Sequence, residues 1–273
     1  MHHTHHHPFM QQPSPSQITH FQSTILDRYA HHARDLPRRT TTDPYRIRIS
    51  ETMLCQTQVS RVIGYYEQRL WLFPTVEALA AASRKEVLNA RSWLGYNSRA
   101  IRLHAAACQI VDDNQGFPKT TKELLALPGV GDYIAWAIMT FAYGKDVVVI
   151  DTNIRRIFLY RWWLDHQIDR KNLTRWVERC IPPGKGTIRY NALMDYGALV
   201  LTAKVTGVKS LGRQSTFGWS TRQVRSLILK QLLKGSLTVE TIVCQFERDD
   251  IHSIVQRMAT EWLVTLTGNV LTL

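Results

Sequence analysis

Apolar residues recur at helical spacing along most of this 273-residue chain, and Pro, Gly and Ser clusters separate the runs. Helices are predicted for residues 18–32, 51–70, 75–82, 85–89, 100–114, 120–126, 133–142, 152–164, 172–180, 190–202, 222–234, 239–246 and 249–262. The only clear β-branched run before the C-terminus, residues 147–150, is too short for a sheet and predicts an extended connector. The pattern therefore predicts an all-α fold.

The two ends of the chain depart from this pattern. Residues 1–17 hold five His with Pro and Ser and no periodic apolar face, which predicts a disordered His-rich tail. At the other end, apolar runs at 263–266 and 270–273 flank Thr267-Gly268-Asn269 and predict a hairpin after three amphipathic helices. Residues 220–273 are therefore predicted to form a separate winged-helix-like module. Such modules bind DNA, bind other proteins or only pack on the neighbouring domain.

The segment Leu127-Pro128-Gly129-Val130-Gly131 joins two of the predicted helices. Thr120 and Glu123 have the spacing of a capping box at the start of the first helix. Glycines allow left-handed dihedrals in the turn, and the amides at the start of the second helix can then point at an anion. The unit is predicted to be a helix-hairpin-helix that binds a phosphate.

The charge and composition of the chain limit the classes of partner and of protein that are possible. The formal net charge is +12, and the Lys and Arg residues are spread along the chain, which suits a polyanionic partner. No apolar run reaches the roughly 20 residues that a membrane span needs, and no signal peptide is visible. We therefore expect a cytoplasmic protein that does not associate with a membrane. The four cysteines are far apart and include no C-x-x-C pair, which predicts neither a disulfide scaffold nor a zinc site.

Several strings occur in an order that resembles one family. They are Asp43-Pro44-Tyr45, Ser50-Glu51-Thr52-Met53-Leu54-Cys55-Gln56-Thr57-Gln58-Val59, Trp93-Leu94-Gly95-Tyr96, the hairpin, and Ile150-Asp151-Thr152-Asn153. Over residues 20–205 the chain resembles the helix-hairpin-helix DNA glycosylases of the endonuclease III superfamily, most closely the MutY-type adenine glycosylases. The resemblance implies a two-domain glycosylase fold, with a discontinuous helical domain (18–46 and 146–219) and a six-helix domain (47–145) that carries the hairpin.

Breaking an N-glycosidic bond needs an acid for the leaving base and an anion near the cationic sugar. Glu51 lies in an apolar helix, where desolvation favours the protonated carboxyl group. Asp151, twenty residues after Gly131, begins a helix whose dipole and free amides favour the ionised form. The resemblance implies that Glu51 is the acid and Asp151 the cation stabiliser, with Tyr133 and Asn153 as their supports.

Tyr133 indicates the subclass of glycosylase. Relatives that also cleave the strand carry a Lys at this position, and its amine forms a Schiff base with the sugar. A phenol cannot form that imine, so we expect a monofunctional glycosylase. Tyr here resembles both some adenine glycosylases and the thymine-removing mismatch glycosylases, whereas Asn153 favours the adenine group.

The resemblance also implies residues that contact DNA and the flipped base. The base-pocket candidates are Arg34, Leu36, Arg38, Arg39 and Asn191. Arg38 stands where the family has Trp, and Asn191 where Gln or Glu is usual, so adenine specificity stays open. The DNA-binding candidates are Gln56 and Tyr96, which resemble residues that enter the duplex, and Leu127, Gly129, Val130 and Gly131 of the hairpin.

Most relatives hold a four-iron cluster with a C-x6-C-x2-C-x5-C segment. The corresponding residues here are Leu201, Val208, Leu211 and Phe217, all of which are apolar. We expect the loop 201–217 to pack a small apolar core in place of a metal, so that the protein needs no cofactor.

Together these features predict a monomeric DNA repair glycosylase, nucleoid-associated in a prokaryote, that acts on double-stranded DNA containing a mismatch or lesion. It would hydrolyse the glycosidic bond of adenine opposite guanine or 8-oxoguanine. Two alternatives stay open. One is a thymine or uracil glycosylase acting on T·G or U·G mismatches, and the other is a non-catalytic DNA-binding relative.

Overall fold

The computed structural model describes residues 12–55, 57, 59–90, 97–181, 184, 186–209, 220–261 and 263–273. Up to the hairpin the helices are α1 (Pro15–His32), α2 (Pro44–Leu54), α3 (Val59–Leu72), α4 (Val76–Ala81), α5 (Arg84–Asn89), α6 (Asn97–Asp112), α7 (Thr121–Ala126) and α8 (Asp132–Phe141). They are followed by α9 (Thr152–Arg161), α10 (Arg170–Cys180), α11 (Gly186–Leu199), α12 (Ala203–Thr206), α13 (Thr221–Leu232), α14 (Val239–Phe246) and α15 (Ile251–Thr260). The strands are β1 (Leu237–Thr238), β2 (Thr265–Thr267) and β3 (Val270–Thr272). The all-α prediction is confirmed, and in the described part of the chain no helix is long and apolar enough to cross a bilayer.

Helix α1 starts inside the segment 1–17 that was predicted to be disordered. Ser14 and Gln17 form a capping box, in which each side chain bonds the backbone amide of the other residue. Pro15 occupies the first helical position, where its missing N–H costs nothing. The prediction was therefore wrong for residues 15–17, because the capping residues had been counted with the tail.

The predicted helix 51–70 is instead two helices, α2 and α3. Helix α2 starts at Pro44, where the Asp43 carboxylate accepts a 2.8 Å bond from the Tyr45 amide. It ends after Leu54, and the Arg99 guanidinium donates to the carbonyl of Cys55. Such a long-range C-terminal cap leaves no trace in the local pattern. As a result Glu51 lies in the last turn of α2.

The chain folds into two units, and the first combines the described residues of Met1–Arg39 and Trp136–Arg213. In this unit α11 packs on α1 and on α9. Gly197 of α11 makes the second contact possible, because a Cβ at this position would lie 2.8 Å from the Cβ of Asn153. The first turn of α9, which carries Asn153, is therefore held directly against α11.

The second unit combines the described residues of Thr40–Ala135 and Gln214–Leu273. Its core is one continuous hydrophobic cluster, to which Ile49, Ile101, Ile228 and Met258 all contribute fully buried side chains. The C-terminal helices thus share a core with α2 and α6, whereas the sequence predicted a separate module from residue 220. A segment this small buries little apolar surface by itself, so packing on a larger body stabilises it.

The C-terminal segment has the order α13-β1-α14-α15-β2-β3, and its antiparallel sheet has the strand order β1-β3-β2. The predicted hairpin is confirmed, with Leu266 opposite Leu271 and with Gly268 in the turn at φ +58°. Strand β1 has only two residues and was not predicted. The arrangement is that of a winged helix, in which β2 and β3 form the wing.

Candidate active site

The hairpin turn is built as the sequence predicts. Thr120 and Glu123 form the capping box of α7, and α8 begins directly after Gly131. The Val130 amide donates to the Leu127 carbonyl across 3.1 Å and closes the turn. The Leu127 and Val130 side chains are buried, whereas Gly129 and Gly131 are exposed. The turn thus presents exposed backbone at Gly129 and Gly131, next to the exposed Asp132 that begins α8.

The two glycines of the turn differ in what they require. Gly129 adopts φ +75°, and a Cβ there would lie 2.8 Å from the Cβ of Arg102. Gly131 does not have a positive φ, and a Cβ there would meet nothing within 4 Å. Only Gly129 therefore needs the freedom of glycine for the fold, while Gly131 leaves open space at the N-terminus of α8.

Alanine substitutions should separate these two roles. Gly129→Ala combines a left-handed backbone with a steric clash, so we expect it to lower the free energy of unfolding by roughly 1–3 kcal/mol. Gly131→Ala is the matched control and should change that free energy by less than about 0.5 kcal/mol. Urea denaturation of both variants measures the difference. Equal stabilities would contradict the assignment of the turn geometry to Gly129.

Glu51 and Tyr133 are brought together in the second unit. The Tyr133 hydroxyl, in the first turn of α8, donates a 2.9 Å hydrogen bond to Oε2 of Glu51. Glu51 is only 1% exposed, so its carboxyl group is shielded from solvent. The phenol holds this carboxyl group in one orientation.

Arg48 also belongs to this part of the site, although sequence reasoning missed it. Its side chain is buried, and Nη2 donates to the carbonyl oxygen of Pro128 across 2.8 Å. Because Arg48 lies one turn before Glu51 on α2, this bond ties the helix that carries Glu51 to the hairpin turn. The available signal was a charged residue directly between the two apolar residues Ile47 and Ile49.

Asp151 caps α9 in the first unit, as predicted. Its Oδ1 accepts from the Ile154 amide at 2.7 Å, and its Oδ2 accepts from Nδ2 of Asn153 at 2.8 Å. Arg156 extends the chain of bonds, since its Nη2 donates to Oδ1 of Asn153 at 2.6 Å and to the Gly197 carbonyl at 2.7 Å. Asn153 is thereby fixed with its donor towards Asp151. Arg156 was not predicted, and its spacing of three residues from Asn153 was the only signal.

The electrostatics of Asp151 differ from the expectation. Burial raises its pKa, and the hydrogen bonds from the Ile154 amide and from Asn153 only partly oppose this effect. The sequence suggested that the helix start alone would favour the ionised form. Desolvation outweighs the cap, so the ionised carboxylate of Asp151 is costly to maintain in the folded protein.

Two of the base-pocket candidates are engaged within the first unit. The carboxylate of Asp195 accepts from Nε of Arg34 at 2.5 Å and from Nη2 of Arg39 at 2.7 Å. Burial raises the pKa of Asp195, but the bonds from Arg39 and Arg34 outweigh this and hold it below its ordinary value. Arg34 and Arg39 thus anchor their loop to α11, and a contact with the base stays a prediction for both.

Asn191 has a different environment from these arginines. It is 4% exposed, and no group in the described part of the chain donates a hydrogen bond to its Oδ1. A buried amide oxygen without a donor is well suited to bind a polar ligand. Leu36 is buried, and Arg38 lies in the short 3-10 helix Pro37–Arg39. Gln56 and Tyr96 lie outside the described residues.

The residues at the family's cluster positions do not fit an iron-sulfur cluster. Leu201 and Val208 are buried hydrocarbons without donor atoms, and Leu211 and Phe217 lie outside the described residues. The four cysteines are on separate elements, at the end of α2 and on α6, α10 and α14. Among the described side chains, no three His, Cys, Asp or Glu residues come together as a metal site would require.

Comparisons with known proteins agree with the fold and the motifs. Residues 49–183 match the family described as HhH-GPD superfamily base excision DNA repair protein. An adenine DNA glycosylase of Mycolicibacterium smegmatis is 40% identical over 185 residues, which cover 66% of this chain and 63% of that relative. The chain therefore spans less than two thirds of that relative's length. A thymine/uracil-DNA glycosylase of Methanothermobacter thermautotrophicus is 31% identical, and the match covers 84% of its length.

A solved structure supports the same grouping. The structure of a thermostable thymine-DNA glycosylase matches with a TM-score of 0.62 and 30% sequence identity, over 68% of this chain and 88% of that one. The helix-hairpin-helix, Glu51 and Asp151 all lie within the matched residues 49–183. The chain belongs to the HhH-GPD superfamily of base excision DNA repair proteins.

Proposed function

We propose that this chain is a monofunctional DNA glycosylase that hydrolyses the N-glycosidic bond of adenine paired with guanine or 8-oxoguanine. The observation that carries the proposal is the 2.9 Å hydrogen bond from Tyr133 to the buried Glu51. It joins a carboxyl group suited to proton donation with a phenol at the position where strand-cleaving relatives carry Lys. The similarity to the adenine DNA glycosylase of Mycolicibacterium smegmatis supports adenine as the base.

In this mechanism Glu51 protonates the leaving adenine. As the bond between C1′ and the base nitrogen breaks, its electron pair passes to the base, and the proton neutralises the charge. Tyr133 keeps the Glu51 carboxyl group oriented, and the low exposure of Glu51 excludes bulk water that would compete for the proton. The oxygen of a water molecule then bonds to C1′, and its released proton restores the acid.

Asp151 stabilises the positive charge that develops on the sugar. Because burial raises its pKa, the ionised carboxylate gains much when a cation forms beside it. The fixed bonds from Ile154 and Asn153 hold its oxygens in place, so little reorganisation is needed during the reaction. Excision should therefore fall when the pH drops through the raised pKa of Asp151.

The partner in this proposal is double-stranded DNA that contains a mismatch. The exposed backbone at Gly129 and Gly131 would receive a phosphate at the start of α8, and the net charge of +12 favours a polyanion. Gln56 and Tyr96 remain predictions for the side chains that enter the duplex. The unpaired amide oxygen of the buried Asn191 would accept a hydrogen bond from the flipped base.

The proposed enzyme works without a metal. Leu201 and Val208 are buried where most relatives place cluster ligands, so apolar packing would replace the iron-sulfur cluster. Glu51 and Asp151 supply the acid and the anion, and no step of the proposed hydrolysis requires an oxidant or a Lewis acid.

A second candidate function is removal of thymine or uracil from mismatches with guanine. The match to the thymine/uracil-DNA glycosylase of Methanothermobacter thermautotrophicus spans 84% of that relative, more than the match to the adenine enzyme. Asn191 does not decide between the bases, because an amide can bond the edge of either. Asn153 favours the adenine group through the family motif.

Single-turnover excision on duplexes with A·8-oxoG, A·G, T·G and U·G pairs tests the proposal. We expect adenine to be released from the first two, with strands that stay intact until alkali is added and with little covalent trapping by borohydride. Release of thymine or uracil alone would establish the second function, and no release from any duplex would indicate a non-catalytic DNA-binding protein. The same preparation should contain far less than stoichiometric iron.

A further inference from the structure

One ion cluster joins the C-terminal winged helix to the hairpin turn. Glu261, the residue that ends α15, accepts from Nη2 of Arg102 at 3.1 Å and also from the guanidinium of Arg225 on α13. The Arg225 guanidinium lowers the pKa of Glu261, because it stabilises the carboxylate form. Arg102 lies directly beneath the turn, since its Cβ would be 2.8 Å from a Cβ placed on Gly129. One arginine therefore contacts both the hairpin and the end of α15.

Helix α15 has one face in the core and one polar face outside it. Its core face is formed by Ile251, Ile254, Val255 and Met258. The exposed face carries His252, Ser253, Gln256 and Arg257, and it includes no acidic residue. Carboxylates lie just beyond both ends of α15. Asp250 before its N-terminus is paired with Arg248 at 2.8 Å, and Glu261 after its C-terminus is paired with Arg102 and Arg225. The exposed positive charge in the C-terminal half of α15 itself is thus Arg257.

Helices α14 and α15, with the β2–β3 wing, have the order found in winged-helix DNA-binding modules, in which the second helix of the pair enters the major groove. We infer that the C-terminal half of α15 and the wing form a second DNA contact, which binds the duplex next to the phosphates held by the hairpin. This inference rests on the proposed function, because it takes double-stranded DNA as the partner. The observation that favours DNA over a protein as the partner is the proximity of α15 to the hairpin. Arg102 packs against Gly129 of the turn and donates to Glu261 at the end of α15.

The dimensions of the helix suit this role. A helix of ten residues is about 15 Å long, and the major groove of DNA is about 12 Å wide. The major groove can therefore admit α15. Arg257 would meet the backbone and Gln256 a base edge or phosphate, while the Thr267-Gly268-Asn269 tip of the wing would lie along the strand.

The test compares charge reversals at two exposed sites of the winged helix. Arg257→Glu changes the proposed contact, and Lys230→Glu on the exposed side of α13 makes the same charge change outside α15 and the wing. Binding to a lesion-free 30-base-pair duplex is measured by fluorescence anisotropy across a salt series. We expect Arg257→Glu to weaken binding on the order of tenfold and to reduce the slope of log K against log salt by about one, while Lys230→Glu has little effect.

A second measurement maps the contact itself. In hydroxyl-radical footprinting, the unaltered protein should protect the DNA backbone both at the phosphates held by the hairpin and next to them, where α15 binds. Arg257→Glu should lose the protection next to the hairpin contact. Gln256→Glu, at another exposed position, should weaken binding as well, and thermal melts establish that all variants are folded. Unchanged affinity, salt slope and footprint in both α15 variants would overturn the inference, as would equal losses in Lys230→Glu.

The outcome for the proposed function is separate from this test. If the unaltered protein excises adenine while the α15 variants bind normally, the second contact is absent and the glycosylase proposal stands. If the unaltered protein binds no duplex at all, both proposals are withdrawn.

Discussion

Replacing Asp151 with Asn should lower single-turnover excision of adenine by about 100-fold or more. The substitution keeps the size of the side chain, and the Asn oxygen can still accept from the Ile154 amide that Asp151 now caps. What is lost is the negative charge opposite the developing sugar cation. Duplex binding should persist, because no DNA phosphate is expected to contact a carboxylate. The measurement is single-turnover excision with saturating enzyme, together with anisotropy on the same duplex.

The stability of Asp151→Asn should have a characteristic dependence on pH. Since the folded-state pKa of Asp151 is raised, its favourable contribution is fully present below the unfolded-state pKa and is lost as the pH rises through the folded-state value. Where Asp151 is ionised, the variant avoids the burial of a charge but loses the bond from Asn153. We therefore expect its free energy of unfolding to lie within about 1 kcal/mol of the unaltered protein at pH 7. As the pH falls, the free energy of unfolding of the unaltered protein should rise relative to that of the variant.

Asp169→Asn is a matched control for this experiment. Asp169 also caps a helix, α10, and accepts from the amide and the side chain of Asn172 at 2.9 and 2.5 Å, but its bonds are exposed. The Asn172 amide bond holds the pKa of Asp169 below its ordinary value, so its contribution is present at neutral pH and is lost in acid. The two variants should thus show opposite pH trends, and Asp169→Asn should excise normally. Normal excision by Asp151→Asn would remove Asp151 from the mechanism.

Elements specified by local signals were predicted well from the sequence. The capping box of α7 and the glycine turn of the hairpin depend on residues within one turn of each other. The errors occurred where a distant residue decides the structure. Arg99 caps the end of α2 by donating to the Cys55 carbonyl, and the two residues are 44 positions apart. No local sequence pattern therefore contains both partners. Strand β1 forms only because β3 is available to pair with it.

The same distinction applies to the candidate site. The family motifs identified Glu51 and Asp151, and the bond between Asp151 and Asn153 could be expected from their spacing on one helix turn. Tyr133 and Asn153, which bond these carboxylates, were expected as their supports. Other side chains that fix the elements of the site were missed because their partners are distant in the sequence. Arg48 donates to the carbonyl of Pro128, which is 80 positions away in the sequence. Arg34 donates to Asp195, which is 161 positions away. The raised pKa of Asp151 was missed for a related reason, since desolvation depends on packing that a linear pattern does not contain.

Glu51→Gln should lower adenine excision by about 100-fold or more, because an amide cannot donate the proton that the leaving base needs. The amide oxygen can still accept from the Tyr133 hydroxyl, so the fold around α2 should be retained. Tyr133→Phe removes only the orienting hydrogen bond and should cost on the order of tenfold, since the acid remains.

The double variant distinguishes orientation of the acid from an independent role of the phenol. If Tyr133 acts only through the Glu51 carboxyl group, adding Tyr133→Phe to Glu51→Gln should cause no further loss of excision, because the group that it orients is already inactive. A multiplicative loss would show that the phenol contacts the substrate by itself. Excision by Glu51→Gln at the unaltered rate would exclude Glu51 as the acid, whatever the effect of Tyr133→Phe. The three variants should be compared in single turnover on the A·8-oxoG duplex, so that the rate reports the chemical step and not product release.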